Sequence, residues 1–126
     1  MTYAVGVQRE FIARHALRGD APAAEREPHA HAYRVECRAR GPELDERGYL
    51  VDLDRLGAAL EAVIAGLRDR LLNDLEEFRG LNPSLEHLAR LVCEGVRARS
   101  TLPAGVRLSV TAWESTTAWA SFAEDG

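Results

Sequence analysis

The chain contains no lysine: all sixteen basic residues are arginine, and twenty acidic residues leave a formal net charge of −4. A nucleic-acid partner usually demands a basic surplus gathered on one face, so this balance argues against one. The arginines remain suited to clamping small anions such as phosphates, because the guanidinium fork matches their oxygens. Long apolar runs are missing too. No stretch approaches the ~20 residues that a membrane helix requires, which excludes a helical span. Cysteine is scarce, and Cys37 and Cys93 share no metal-ligand spacing and support no disulfide framework, so both are expected as reduced core residues. The opening residues MTYAVGVQREF lack a basic start followed by an apolar block. They read as a mature first strand, and the expected location is cytoplasmic.

What is present is the composition of a soluble globular protein, 46% hydrophobic and 29% charged over 126 residues. This length fits a single domain, residues 1–126, able to bury roughly 65–70% of the surface its unfolded form exposes, so a core needs no covalent staples. In YAVGVQREFIARH, Tyr3, Val5, Val7, Phe11, Ala13 and His15 share one side of an extended chain, with Arg9 the exception. That is a strand. Residues 16–28 hold a Gly, two Pro and five charges and read as a loop. From His29 the alternation resumes, with His31, Tyr33, Val35, Cys37 and Ala39 opposite Arg34, Glu36, Arg38 and Arg40, the pattern of a half-buried strand. After the turn GPELDERG, Leu53, Leu56, Leu60, Val63, Ile64, Leu67 and Leu71 form one helical stripe, with Asp52 or Asp54 as N-cap. Asn82 and Pro83 read as a cap and first-turn pair for a second helix carrying Leu85, Leu88, Leu91, Val92 and Val96. TLPAG then precedes a strand over VRLSVTAWE, and the turn STTA leads to a last strand, WASFA. The order β-β-α-α-β-β implies an α+β fold, a four-stranded antiparallel sheet with both helices on one side.

Two of the four histidines, His29 and His31, stand one residue apart where the second strand begins. On an extended chain they leave the same face with Cα atoms ~6.5–7 Å apart, and two imidazoles so placed can reach a common ion at ~2.0–2.1 Å. His15 ends the first strand, so antiparallel pairing across the loop gathers three rings at one end of the sheet. Three neutral imidazoles without a fourth protein ligand make the layout of a catalytic zinc, whose open position takes water or substrate. An H-x-H pair is equally at home as two solvated or hydrogen-bonded side chains, and the residues alone leave both readings open.

The stretches FIARH, HAHAYRVE, GYLVDLDRL, LLND, NPSLEHLA and VTAWESTTAW, in this order and at these separations, resemble the 6-pyruvoyl and 6-carboxy tetrahydropterin synthase family over nearly the whole chain. That family's signatures run F-x-A-x-H, H-G-H-x-Y, G-x-x-x-D, L-N-D, N-P-[ST]-x-E and E-[ST]-x-[TS], on the ββααββ tunnelling fold. The resemblance implies that His15, His29 and His31 are zinc ligands and that Glu114 anchors a pterin. Ala30 stands where the family has glycine, a change of one methyl that a strand tolerates. The residues agree about Glu114. A carboxylate on the apolar side of a strand wants a pair of donors, and the amino group and adjacent ring N–H of a pterin supply one, bidentate. A salt bridge to an arginine is the plainer alternative. Thr116 or Thr117 either contacts the pterin or caps the hairpin.

The chain departs from the family where proton transfer is concerned. Four residues before the H-x-H pair the family carries a cysteine, and here the position is Glu25; the family's Asp-His pair aligns with Arg68 and Asp69. Cys37 cannot substitute, because six residues of strand from His31 span ~20 Å. One expectation is therefore a glutamate, Glu25 or else Glu27, acting as general acid/base. This is similar to a branch of the family that cleaves the side chain of 7,8-dihydroneopterin triphosphate in retro-aldol fashion to give 6-hydroxymethyl-7,8-dihydropterin. Another is a decayed site that binds a pterin or purine-like ligand without turnover, or a 6-carboxytetrahydropterin synthase of altered mechanism. Asp69 is a candidate remote proton acceptor and Arg68 and Arg70 candidate triphosphate holders, with the charged outer side of a helix as the plainer reading of all three. His87 reads as a surface helix residue. The resemblance further implies a homo-oligomer, trimers or hexamers built edge to edge, which an exposed sheet edge supports.

Overall fold

Alternation of period two folds residues 3–15 and 29–41 into the long strands β1 (Tyr3–His15) and β2 (His29–Gly41) of the computed structural model, which describes residues 1–125. They pair antiparallel from Tyr3 opposite Gly41 to His15 opposite His29. The connection holds one helical turn, α1 (Ala23–Arg26), inside what the sequence reads as loop. β3 (Arg107–Trp113) adds to β2 and β4 (Trp119–Ala123) to β3, so the sheet runs β1-β2-β3-β4, all antiparallel. α2 (Leu53–Ala65) packs on β1, and α3 (Leu85–Ala98) on β3 and β4. The expected ββααββ order and α+β class therefore stand, with α1 as an addition.

One face of the sheet makes the core. Phe11, Ala13, Tyr33, Val35, Cys37, Ala39, Leu108, Val110 and Ala112 are buried there against Leu56, Leu60, Ile64, Leu88, Val92 and Val96 of the helices. Each buried valine, leucine, isoleucine or phenylalanine among them contributes about 1.5–3 kcal/mol. Both cysteines are buried free thiols, and burial pushes Cys37 up to about 12 and Cys93 up to about 11. Arg9, the polar intruder on this side of β1, lies across Gly57 of α2; a Cβ there would meet its Nη2 at 2.8 Å. Glycine makes that crossing possible, and Arg9 then reaches Glu61 at 3.4 Å.

Two helix boundaries differ from the sequence expectation. The stripe from Leu53 to Leu71 suggests one helix, yet α2 stops at Ala65. The edge of β1 takes over the chain from there: the Asp69 N–H donates to the Ile12 carbonyl at 2.7 Å, the Arg14 N–H donates to the Arg70 carbonyl at 2.8 Å, and Leu71 bridges to Arg14. Asp69 adopts φ +61° to make this turn, a conformation that Asp tolerates better than most side chains. Leu67 is still buried, through the turn rather than the helix. The second difference is at α3, capped by Ser84, whose Oγ accepts the His87 N–H, and not by Asn82. Asp52 caps α2, accepting the N–H groups of Asp54 and Arg55. No helix among the described residues is long and apolar enough to cross a membrane.

Candidate functional site

The register that pairs His15 with His29 also sets His31 diagonally across from them, opposite Ala13. Three imidazoles meet at this end of the sheet. Ring centroids lie 4.6 Å apart for His15 and His29, 4.9 Å for His15 and His31, and 5.0 Å for His29 and His31. One nitrogen from each ring falls within 4.8 Å of the others.

Hydrogen bonding fixes which nitrogen this is for His15 and for His29. His15 is buried, 2% exposed, and its Nδ1 lies 2.8 Å from the Pro83 carbonyl oxygen. A carbonyl can only accept, so Nδ1 carries the proton and Nε2 the lone pair. His29 is arranged alike, its Nδ1 donating to the Glu27 carbonyl at 2.8 Å. Burial holds His15 below the usual 6.5; the Pro83 bond opposes this, His29 and His31 add to it, and Glu114 opposes it again. A neutral ring with an outward lone pair is the ligand form. His15 Nε2 is the buried side-chain nitrogen that has no partner among the described residues, a position that costs about 1–3 kcal/mol unless something fills it. Three imidazoles converging around such an atom fit a zinc ion with an open coordination position.

Polar side chains distant in sequence hold this end of β1 in place. Asn73 grips both backbone groups of Ala16: its Oδ1 accepts the Ala16 N–H and its Nδ2 donates to the Ala16 carbonyl, each at 2.9 Å. Asn82 Oδ1 accepts the Arg18 N–H at 2.9 Å, which is why this side chain does not cap α3. His87, half-buried rather than a free surface residue, donates from Nδ1 to the Asn82 carbonyl at 2.8 Å. The neighbouring carbonyl, that of Pro83, is the one holding His15. Sequence reading passed over these contacts; isolated asparagines inside the LLND and NPS stretches were the available signal.

Glu114 follows β3, its N–H donating to the Ala118 carbonyl at 3.2 Å, and its half-buried carboxylate places Oε2 4.0 Å from His31 Nε2. No arginine pairs with it among the described ion pairs, whereas Arg97 pairs with Glu124 and Arg68 with Glu61. In the following turn Ser115 Oγ accepts the N–H groups of Thr117 and Ala118, and Thr116 is exposed. Glu25 and Glu27 flank the histidines on the α1 side with exposed side chains. The Glu25 carbonyl accepts the Leu17 N–H at 2.8 Å, which fastens the loop back onto the end of β1. Asp69 is exposed on the turn beside Ile12 instead of on the outer side of a helix, and Arg68 is engaged with Glu61 at 2.9 Å. A groove of about 1440 Å³ lies at the other end of the sheet, between Tyr3, residues 42–55 and residues 99–106, and is lined by none of these residues.

Residues 4–125 match the profile of the 6-pyruvoyl tetrahydropterin synthase family. Among solved structures, the chain is similar to the 6-pyruvoyl tetrahydropterin synthase of Caenorhabditis elegans, with TM-score 0.84 and 22% identity, covering 99% of this chain and 97% of that one. It is also similar to the Plasmodium vivax enzyme, with TM-score 0.80, 17% identity and 99% of both chains covered. A variant of that enzyme in which alanine replaces a catalytic glutamate superposes with TM-score 0.72 at 16% identity, again over 99% of both chains. At such identities the likeness speaks to fold. No curated protein matches the sequence.

Proposed function

The chain belongs to the 6-pyruvoyl tetrahydropterin synthase family, and from that premise we propose that it is a zinc-dependent pterin lyase that acts on 7,8-dihydroneopterin triphosphate with a glutamate in place of the family's thiol. The observation that carries this reading is the convergence of three imidazole nitrogens, one buried and unpartnered, beside the Glu114 carboxylate. His15, His29 and His31 hold the ion. Bound there, zinc supplies Lewis-acid polarisation of the oxygens on the substrate's side chain.

The remaining work falls to the protein's own groups. Glu114, with no competing arginine, accepts the amino group and adjacent ring N–H of the pterin as a bidentate pair, and Thr116 adds a polar contact. Glu25 takes the proton of the C2′ hydroxyl. The C1′–C2′ bond then breaks: C2′ leaves as an aldehyde carrying the triphosphate, and the bond's electron pair passes into the C6–N5 unit of the ring. Return of a proton to C1′ gives 6-hydroxymethyl-7,8-dihydropterin. Glu27 is the alternative base, although its carbonyl already serves His29; Asp69, on the turn tied to β1, is a more remote proton acceptor. The catalytic glutamate named for the Plasmodium vivax variant supports a carboxylate in this role. Assembly into trimers or hexamers through the outer strands β1 and β4, and a cytoplasmic location, complete the reading.

Chromatography of zinc-loaded protein incubated with 7,8-dihydroneopterin triphosphate tests it. The expected product is 6-hydroxymethyl-7,8-dihydropterin, lost on Glu25→Ala. A 6-pyruvoyl or 6-carboxy product would overturn the glutamate mechanism. The exposure of both Glu25 and Glu27 favours one second reading, a module that binds a pterin or purine-like ligand without turnover; it predicts zinc-dependent binding and no product.

A further inference from the structure

We propose that the Tyr33 hydroxyl is a positioning group for His15, sharing the imidazole Nδ1–H with the Pro83 carbonyl and so aiming the buried Nε2 at the ion. The inference rests on reading the three imidazoles as a ligand set. Tyr33 is 1% exposed and its ring stacks on Phe11, with centroids 5.4 Å apart. A phenylalanine would fill that space equally well, and a buried hydroxyl destabilises a core unless it is hydrogen-bonded. The partner given to this hydroxyl is His15 Nδ1, at 3.2 Å. The direction of that bond follows from Pro83: its carbonyl oxygen, 2.8 Å from the same nitrogen, requires the proton on Nδ1, so Tyr33 Oη accepts.

The result is a three-centre bond, one N–H between two acceptors. A single acceptor sets a distance; two restrict rotation of the ring about its bond to the strand. That restriction matters most at His15. His29 and His31 are partly exposed and can adjust with the loop and the site mouth, whereas His15 is buried and must present Nε2 without rearrangement. Partners outside the ligand shell typically change metal affinity 10–100-fold. Because Pro83 stays in place when the hydroxyl goes, the expected change is at the lower end.

Tyr33→Phe tests this in the full chain, stripped of metal and reloaded with Zn²⁺ or Co²⁺. Competition against a chromophoric chelator should show the Zn²⁺ dissociation constant raised roughly 10-fold, with an altered visible spectrum for Co²⁺. The melting temperature of the metal-free variant should equal or exceed that of the metal-free parent. A purely structural role would give the reverse, lower metal-free stability with unchanged affinity and spectrum, and would overturn the inference. A parent protein that binds zinc and a variant that binds it equally well would also overturn it, leaving the ligand set intact. A parent that binds neither ion would overturn both.

Discussion

Replacing Asn73 by alanine should loosen the metal end of the sheet through a residue that touches no ligand. Its amide makes two bonds to the backbone of Ala16, each 2.9 Å, and Ala16 follows His15 directly. A net 0.5–1.5 kcal/mol for each intramolecular hydrogen bond gives about 1–3 kcal/mol in all. The site is only partly buried, so water can replace some of that, and about 1–2 kcal/mol is the working figure. For a chain of this size each kcal/mol lowers the melting temperature by roughly 3–5 °C, so the expected drop is about 3–10 °C. Calorimetry on metal-free protein measures it. Hydrogen exchange locates it: the Ala16 and Leu17 amides should exchange faster, while the β2–β3 ladder keeps its protection at that end of the chain of pairs far from the site. Zinc affinity should fall as well, because residue 16 anchors the strand end that carries His15. An unchanged melting temperature together with unchanged affinity would refute the view that this amide fastens the site.

Four further outcomes follow from the same structure. Burial holds His15 below its ordinary value, so below about pH 6.5 the unfolded chain takes up a proton that the folded chain resists; metal-free stability should fall as pH drops through that window and be flat above it, and His15→Gln should remove the slope in pH-dependent melting. The bond from Arg97, helped by the Leu108 N–H, holds Glu124 below the usual carboxyl range, so its stabilisation is complete above about pH 4.5 and is lost as pH falls through the lowered value; Glu124→Gln should therefore lower stability at neutral pH and flatten the acid limb of the urea midpoint. Gly95→Ala should destabilise by about 1–3 kcal/mol, since the new Cβ would meet Val63 Cγ2 at 2.9 Å between the two long helices. Gly57→Ala would push the flexible end of Arg9 off its crossing, giving up an exposed ion pair with Glu61 worth at most about 1 kcal/mol, and gains up to about 1 kcal/mol of helix propensity, so its denaturation midpoint should stay level.

Much of this site was legible because strand pairing is itself legible. Period-two alternation sets the bounds of β1 and β2, a loop between them makes the pairing antiparallel, and the register that brings Tyr3 opposite Gly41 then has to bring His15 opposite His29. The positions that defeated sequence reading are those where a distant partner decides. The leucine stripe continues past Ala65, but the backbone edge of β1 offers Ile12 and Arg14 as partners and draws the chain out of the helix. Asn82 has the chemistry of an N-cap, yet its side chain is taken by Arg18 and Ser84 caps instead. Tyr33 and Asn73 act on residues 18 and 57 positions away, a separation that leaves no periodic trace.

The location of the site follows from the same accounting. Along the buried face, β1 runs Phe11, Ala13, His15 and β2 runs Tyr33, His31, His29 toward the loop, so the side chains become more polar as the sheet leaves the shelter of the helices. Polar groups in mid-core would need partners there; at the sheet end His15 and His29 obtain them from loops, the carbonyls of Pro83 and Glu27, while one nitrogen of each ring lies close to the others. Glu114 lies at the equivalent end of β3, its Oε2 4.0 Å from His31 Nε2. A core fully satisfied within itself would have had no reason to leave His15 Nε2 buried and without a partner, and that one atom is where the packing of the fold and its chemistry meet.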